Sequence, residues 1–435
     1  MLRFTENNET IQQEEYSAIL VGLQLREDIS YSMRELSGLA EAAGVEVLGE
    51  LVQTLEKPNK ATFIGSGKVE ELAMLCENME ADTVIFNDEL SGMQLRNLEE
   101  ALGVRVIDRT ILILDIFASR ATSREGKLQV ELAQLQYRLP RLTGFGKSLS
   151  RLGGGIGTRG PGEKKLETDR RHIARRIDDI REELRQVKNT RGVQRAKREK
   201  SEIPVVALVG YTNSGKSAIM NRLLADAEKE DKTVTEKDML FATLDTQQRN
   251  IRLEGNQEFI LVDTVGFVSK LPHSLVDAFK ATLEEVVYAD LLLHVVDASY
   301  ENYGFHIDVT EKVLAEMKAA DKERLMVYNK TDLIAEMPPE ALCSDAVCIS
   351  AKYGTNMDAL LEKIRSVIFS DVVTAQLLIP YTRGDIISYL CEKANVLEKE
   401  YREDGTLLSV KLSCADYGRL KDYDIVQNNT ERSSL

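Results

Sequence analysis

Cysteine, histidine and long apolar runs are all scarce in this chain of 435 residues, and each scarcity argues against a class of protein. The 5 cysteines are an odd number without Cys-x-x-Cys spacing, which indicates buried thiols in a reducing cytosol. The 4 histidines lack the spacing of metal ligands. No apolar run approaches the roughly 18 residues that cross a bilayer, and the polar N-terminus has no signal-peptide pattern. We therefore predict a cytoplasmic, monomeric protein with no transmembrane segment.

Charge is distributed unevenly along the chain. The formal net charge is −15, yet the segment from Arg120 to Lys200 holds 22 Lys and Arg against 10 Asp and Glu, a local +12. Outside it remain 34 of the 56 basic and 61 of the 71 acidic residues, a net −27. One basic segment in an acidic protein suggests a localised contact with a polyanion. A solvated pair of charged helices would give the same composition, so both interpretations stay open at this point.

Residues 17–120 alternate strand and helix patterns, after a polar segment 1–16 that we expect to be flexible. This alternation predicts a small α/β domain with a parallel sheet. It contains Gly65-Ser66-Gly67-Lys68, which mimics a phosphate-binding loop. However, Thr62 stands where the first glycine belongs, and Val69 replaces the hydroxyl that would bind Mg²⁺. We interpret this segment as the first turn of a helix that carries a lysine.

Residues 121–200 are predicted to form a long antiparallel helical hairpin. Glu125 to Leu139 and Leu166 to Lys200 both have apolar residues at helical spacing, and a glycine-rich segment from Leu152 to Glu163 separates them. This segment permits close approach of the backbone to phosphates. We favour an RNA contact over a flexible linker. The basic residues proposed to make that contact are Arg151, Arg159, Lys164 and Lys165.

Residues 201–370 carry the motifs of a guanine-nucleotide switch. The segment Gly210 to Ser217 follows an apolar strand and precedes a helix, as a phosphate-binding loop requires. Lys216 would contact the β- and γ-phosphates, and the Ser217 hydroxyl would bind Mg²⁺. The remaining residues of this loop are Tyr211, Thr212, Asn213, Ser214 and Gly215.

Two further segments complete the predicted phosphate and magnesium site. Asp263 ends an apolar strand, so its carboxylate is expected to hold Mg²⁺ beside the loop, and Gly266 offers a backbone N–H to the γ-phosphate. Thr243 lies in Glu236 to Arg249, which we interpret as a mobile switch loop. We predict Lys216, Thr243 and Gly266 as the catalytic group, and Ser217, Thr243 and Asp263 as metal ligands. The neighbouring residues predicted at the site are Phe241, Ala242, Leu244, Asp245, Thr264 and Val265.

The base is expected to be guanine. Asn329-Lys330-Thr331-Asp332 follows another apolar strand, and the Asp332 carboxylate can accept two hydrogen bonds from guanine N1–H and N2. Adenine would leave that carboxylate unpaired, so discrimination should be large. The backbone of Ser350-Ala351-Lys352 is expected to contact guanine O6.

Phe267 stands where many GTPases carry a glutamine that orients the attacking water. A phenyl ring cannot orient water by hydrogen bonding, so we predict slow intrinsic hydrolysis that a partner accelerates. The alternative is that Phe267 is a core residue and that a nearby loop residue orients the water. Beyond this domain, residues 371–427 predict a small α+β domain with a helix from Gly384 to Tyr401, and 428–435 a disordered tail.

Several of these segments together resemble the HflX family of translational GTPases over about residues 17 to 430. They are Gly157 to Glu163, Leu166 to Arg171, Tyr211 to Ser214, Phe241 to Asp245, Asp263 to Phe267 and Ile64 to Lys68. The chain departs from the family pattern at Lys164, where threonine is commoner, and at Thr246-Gln247, where proline and threonine are commoner.

The resemblance implies a P-loop GTPase domain, an N-terminal α/β domain, the helical hairpin and a C-terminal α+β domain. It implies Mg²⁺-dependent GTP hydrolysis coupled to the large ribosomal subunit and its RNA, in ribosome splitting, rescue or subunit biogenesis. Two alternatives remain: a GTP-regulated scaffold whose hairpin binds protein, and an ATP-dependent RNA remodeller that uses the N-terminal region.

Overall fold

A computed structural model of the chain describes residues 16–142, 161–199, 203–227, 247–253, 257–270, 284–339, 341, 346–370 and 372–425. The chain folds into two compact units. The first unit contains the described residues up to Lys188 together with Ser269 and Lys270, and the second unit contains the rest. The predicted flexible ends fall almost entirely outside the described residues.

The first unit contains the predicted parallel sheet. Its strands are β1 (Tyr16–Gln24), β2 (Val45–Thr54), β3 (Thr83–Phe86) and β4 (Arg105–Asp108), in the order β2-β1-β3-β4. Its helices are α1 (Ser30–Ala42), α2 (Ser66–Met79), α3 (Gly92–Leu102) and α4 (Arg109–Arg120). Nearly continuous apolar strands such as Ala18 to Val21 are fully buried, as expected of a parallel sheet with helices on its faces.

The helical hairpin consists of α5 (Arg124–Arg141) and α6 (Pro161–Glu199). Leu128 and Leu132 pack against Ile177 and Ile180 in one apolar cluster. Ion pairs join Arg124 to Glu183 and Glu131 to Arg176, so a later residue of α5 pairs with an earlier residue of α6. The two helices are therefore antiparallel. Helix α6 begins five residues before the sequence pattern predicted, because proline is well suited to the first helical turn. Residues 161–163 of the predicted glycine-rich loop are therefore helical.

The predicted RNA contacts are only partly within the described residues. Arg151 and Arg159 lie outside them, and Lys164 and Lys165 lie in α6 at positions whose side chains are not described. None of the helices that the structure describes is both long and apolar enough to cross a membrane.

The second unit is built on a six-stranded sheet of order β10-β9-β8-β5-β7-β6. Its strands are β5 (Val205–Gly210), β6 (Gln247–Arg252), β7 (Glu258–Asp263), β8 (Leu291–Asp297), β9 (Arg324–Asn329) and β10 (Val347–Cys348). Its helices are α7 (Lys216–Ala227), α8 (Tyr303–Glu316) and α9 (Met357–Ile368). All neighbouring strands are parallel except β6, which is antiparallel to β7. The interpretation of residues 236–249 as one loop is therefore wrong for 247–249, because pairing with β7 makes them a strand.

A three-stranded antiparallel sheet of order β11-β13-β12 forms the C-terminal part of the second unit. Its elements are β11 (Val372–Ile379), α10 (Gly384–Lys393), β12 (Asn395–Arg402), β13 (Gly405–Ser413) and α11 (Cys414–Leu420). The predicted helix from Gly384 to Tyr401 is wrong in its second half, which is strand β12. Glu398, Lys399 and Glu400 favour helix locally, but hydrogen bonding to β13 overrides that preference. The prediction of buried cysteines is also wrong for Cys391 and Cys414, which are exposed, whereas Cys76 is buried.

Candidate nucleotide site

The phosphate-loop segment connects the buried strand β5 to helix α7. Gly215 has a φ of 93°, in the left-handed region that favours glycine. A Cβ atom at this position would lie 2.1 Å from Nδ2 of Asn329, so no larger residue fits. The loop is thus closed tightly against the end of β9, and its first helical residues are Lys216 and Ser217.

The Lys216 side chain is almost fully buried, with 6% of its surface exposed. Its Nζ donates hydrogen bonds to the carbonyl oxygens of Gly210, at 3.1 Å, and Tyr211, at 2.8 Å. Burial lowers the pKa of Lys216 to about 8, although the nearby Asp263 carboxylate opposes this shift. The arrangement holds the ammonium group over the loop, where it could meet phosphate oxygens.

Two of the predicted metal ligands lie together. Asp263, at the end of β7, is fully buried, and its Oδ2 accepts a hydrogen bond from Ser217 Oγ at 2.7 Å. A carboxylate beside a hydroxyl is a set of hard oxygen donors, which fits Mg²⁺. The third predicted ligand, Thr243, lies outside the described residues, as do the other residues from Phe241 to Asp245.

The segment after Asp263 is hydrogen-bonded to the loop. Thr264 Oγ1 donates to the Leu208 carbonyl at 2.6 Å, and the Thr212 N–H donates to the Phe267 carbonyl at 2.6 Å. The Phe267 side chain is only 1% exposed. Phe267 is therefore a core residue, as the alternative interpretation supposed, and its ring is in no position to contact solvent water.

The predicted base-binding segments are joined by Asn329. Its Nδ2 donates to the Ser214 carbonyl at 2.9 Å, and its Oδ1 accepts from the Ala351 N–H at 3.0 Å. Ser350 Oγ donates to Asp332 Oδ1 at 2.6 Å, which places that carboxylate beside the second segment. One amide thus connects the phosphate loop, the end of β9 and the Ser350-Ala351-Lys352 turn.

Sequence reasoning missed Asp297 at this site. Its Oδ2 pairs with Lys330 Nζ at 2.9 Å, and its Oδ1 accepts hydrogen bonds from the backbone N–H and Oγ of Ser299. The Lys330 backbone has a φ of 62°, in the left-handed region, and its side chain reaches Asp297 from that conformation. The available signal was that Asp297 ends an apolar strand, as Asp263 does.

The predicted nucleotide-site residues that the structure describes lie at one edge of the sheet, at the carboxyl ends of β5, β7, β8 and β9. Parallel α/β sheets typically bind ligands at this edge. The structure places there the phosphate loop, Asp263 to Gly266, Asn329 to Asp332 and Ser350 to Lys352.

The second glycine turn with a lysine, Gly65 to Lys68, has different contacts. The Lys68 ammonium forms an ion pair with Glu71 at 2.9 Å. The Gly65 N–H donates to Gln53 Oε1 at 2.9 Å, so one amide that a phosphate would use is already bonded. This agrees with the interpretation of the segment as a helix N-terminus.

Family models match four consecutive parts of the chain. Their descriptions are "GTP-binding GTPase N-terminal" for residues 30–118, "GTP-binding GTPase Middle Region" for 120–198, "50S ribosome-binding GTPase" for 205–330 and "HflX C-terminal domain" for 340–422.

Curated relatives match along nearly the whole length. "GTPase HflX" of Caldanaerobacter subterraneus subsp. tengcongensis is 50% identical over 96% of this chain and 96% of its own. "GTPase HflX" of Lacrimispora saccharolytica is 44% identical over 91% of this chain and 93% of its own. Among solved structures, a GTP-binding protein from Sulfolobus solfataricus in complex with GDP is 26% identical, with a TM-score of 0.46, over 82% of this chain and 99% of that one.

Proposed function

Because this chain belongs to the HflX family of GTPases, we propose that it is a GTP-driven switch that binds the large ribosomal subunit. In this proposal it acts in the cytoplasm, in ribosome splitting, rescue or subunit biogenesis. Hydrolysis is slow in the isolated protein and accelerates on the ribosome, because Phe267 stands where many GTPases carry a glutamine that orients the attacking water.

The site geometry supports specific roles for the nucleotide-binding residues. Lys216 and the loop amides would bind the phosphates, and Gly266 would donate its N–H to the γ-phosphate. Ser217 and Asp263, with Thr243, would hold Mg²⁺, which neutralises phosphate charge when bound. Asp332 would select guanine through two hydrogen bonds.

The ribosomal part of the proposal rests on one observation: the segment from Arg120 to Lys200, which has a net charge of +12, contains both helices of the hairpin, α5 and α6. An exposed basic hairpin suits the RNA backbone, whose affinity for protein is dominated by phosphate contacts. The family model for residues 205–330, described as a 50S ribosome-binding GTPase, supports the same partner.

Cosedimentation with large ribosomal subunits tests the proposal. We expect wild-type protein with a non-hydrolysable GTP analogue to cosediment, and the change of Arg151, Arg159, Lys164 and Lys165 to Glu to abolish it. The matched control reverses four exposed basic residues elsewhere, Lys312, Lys411, Arg419 and Lys421, and should cosediment as wild type does. Binding that survives the hairpin reversal would contradict the RNA contact. Binding that resists both salt and ribonuclease would favour the scaffold alternative instead.

A further inference from the structure

The side chain of Tyr211, the second residue of the phosphate loop, belongs to a stack of three rings. The His306 imidazole lies 4.0 Å from the Tyr211 ring, centroid to centroid, with 12° between the planes. The Tyr300 ring lies 4.4 Å from the same imidazole, at 14°. Two rings at these distances cannot share one face, so His306 lies between the tyrosines. Offset or stacked aromatic pairs of this kind are stabilising beyond the area they bury.

The central ring of the stack comes from a buried position on helix α8. His306 is only 7% exposed, and its carbonyl accepts a hydrogen bond from Thr310 Oγ1 at 2.9 Å. The Phe305 ring approaches the Tyr211 ring on a tilt, at 6.4 Å. The ring of Tyr211 therefore packs against two aromatic side chains of α8, His306 and Phe305.

The backbone of Tyr211 joins the two halves of the phosphate site. Tyr211 pairs with Phe267 in a parallel bridge, flanked by hydrogen bonds from Phe267 N to Gly210 O, at 3.1 Å, and from Thr212 N to Phe267 O, at 2.6 Å. A Cβ atom on Gly266 would lie 2.6 Å from the α-carbon of Thr212, so the two segments touch without spare room. The Tyr211 carbonyl also accepts the hydrogen bond from Lys216 Nζ.

We infer that His306 and Tyr300 are positioning residues for GTP hydrolysis, which act through the ring of Tyr211. By holding that ring, they keep the phosphate loop in register with Gly266, whose N–H is aimed at the γ-phosphate in the proposed site. In this inference neither residue contacts the nucleotide. The inference rests on the GTPase activity of the family and not on the ribosomal role.

The chemical step should depend on this register more than nucleotide binding does. Displacement of a reacting group by about 1 Å can slow a reaction on the order of 100-fold. Asn329 ends β9 and Asp332, which is proposed to bind the base, follows it; their hydrogen bonds to Ser214 and Ser350 do not involve the stack. Loss of the stack should therefore lower the rate of hydrolysis while leaving most of the affinity for GDP.

Two substitutions of His306 test the role of the ring. In His306→Ala we expect single-turnover GTP hydrolysis about tenfold slower than in wild type, with GDP affinity reduced less than about threefold. In His306→Phe, which restores a flat ring, the rate should return to within about twofold of wild type. Tyr300→Ala, from the other end of the stack, should slow hydrolysis in the same direction.

Leu314→Ala controls for general loosening of α8, because Leu314 is fully buried on the same helix but lies outside the stack. Thermal unfolding would confirm that it is destabilised at least as much as His306→Ala, and its hydrolysis rate should stay within about twofold of wild type. The inference is overturned if His306→Ala hydrolyses GTP at the wild-type rate, if His306→Phe is as slow as His306→Ala, or if Leu314→Ala is equally slow. A wild-type protein without GTP hydrolysis would instead contradict the assignment of GTPase activity.

Discussion

Two glycine-lysine turns among the described residues, Gly215-Lys216 and Gly67-Lys68, resemble a phosphate-binding loop in sequence, and only one of them has the geometry of a phosphate site. At Gly215-Lys216 the lysine is buried, directed at loop carbonyls and next to Asp263. At Gly67-Lys68 the lysine side chain is 23% exposed and pairs with Glu71 on the following turn. The difference lies in the surroundings, since a phosphate site also needs a carboxylate that can hold the metal and a lysine that can reach the phosphates.

Removal of each lysine in turn should give the largest difference in GTP hydrolysis between the two turns. Lys216→Ala should reduce single-turnover GTP hydrolysis by about 100-fold or more, because it removes the charge aimed at the phosphates. Lys68→Ala should leave hydrolysis within about twofold of wild type. The rates with GTP and with ATP would be measured for both proteins. ATP turnover that survives Lys216→Ala but disappears in Lys68→Ala would reverse the comparison and establish a nucleotide site in the first unit.

The lowered pKa of Lys216 should give a smaller difference between the two lysines, in the pH dependence of GDP binding. Because burial lowers this pKa to about 8, the lysine loses its proton as pH rises through 8, and a bound phosphate must restore it. GDP affinity should therefore fall about threefold between pH 7.5 and 8.5. Proton uptake on binding should rise from roughly a quarter to roughly three quarters of a proton per site.

Calorimetry of GDP binding in two buffers of different ionisation enthalpy would measure this uptake. The Lys68→Met variant should show the same uptake as wild type, since Lys68 is not at the nucleotide site. An uptake that is independent of pH would contradict the assignment, and so would an uptake that disappears in Lys68→Met.

The smallest effect on nucleotide binding is expected from Gln53→Ala. Its Oε1 accepts the Gly65 N–H, so the variant should lower the free energy of unfolding of the first unit by about 1 kcal/mol. GDP affinity should not change. Chemical denaturation and a GDP titration would be measured on the same preparation. A change of GDP affinity would mean that the turn from Gly65 to Lys68 affects nucleotide binding.

The meeting of the candidate site residues at one sheet edge was largely predictable, because the segments that carry them are short, contiguous and placed at strand ends. Asp263 and Asn329 each end a buried apolar strand, and parallel strands bring such ends to one edge. Asp297 obeys the same rule, but its role depends on an ion pair with Lys330 that spacing alone does not reveal. The His306 stack depends on how α8 packs, which a linear pattern does not encode.

The errors outside the site have the same origin. In β12 the charged residues 398–400 favour helix, and only the partner strand β13 decides otherwise. At the start of α6, glycines and Pro161 suggested a loop, although proline fits the first turn of a helix. Local preference was a good guide to the apolar strands and a poor one where a long-range partner or a cap determines the structure.

In the proposed site, Asn329 would couple recognition of the base to binding of the phosphates. Its amide contacts Ser214 on one side and Ala351 on the other, so disorder in either loop removes a bond that orders its neighbour. A fragment of the ligand, such as guanosine or inorganic triphosphate, would meet only one of these loops and would bear the whole cost of ordering it. The intact nucleotide should therefore bind more tightly than the affinities of its two fragments would suggest when combined.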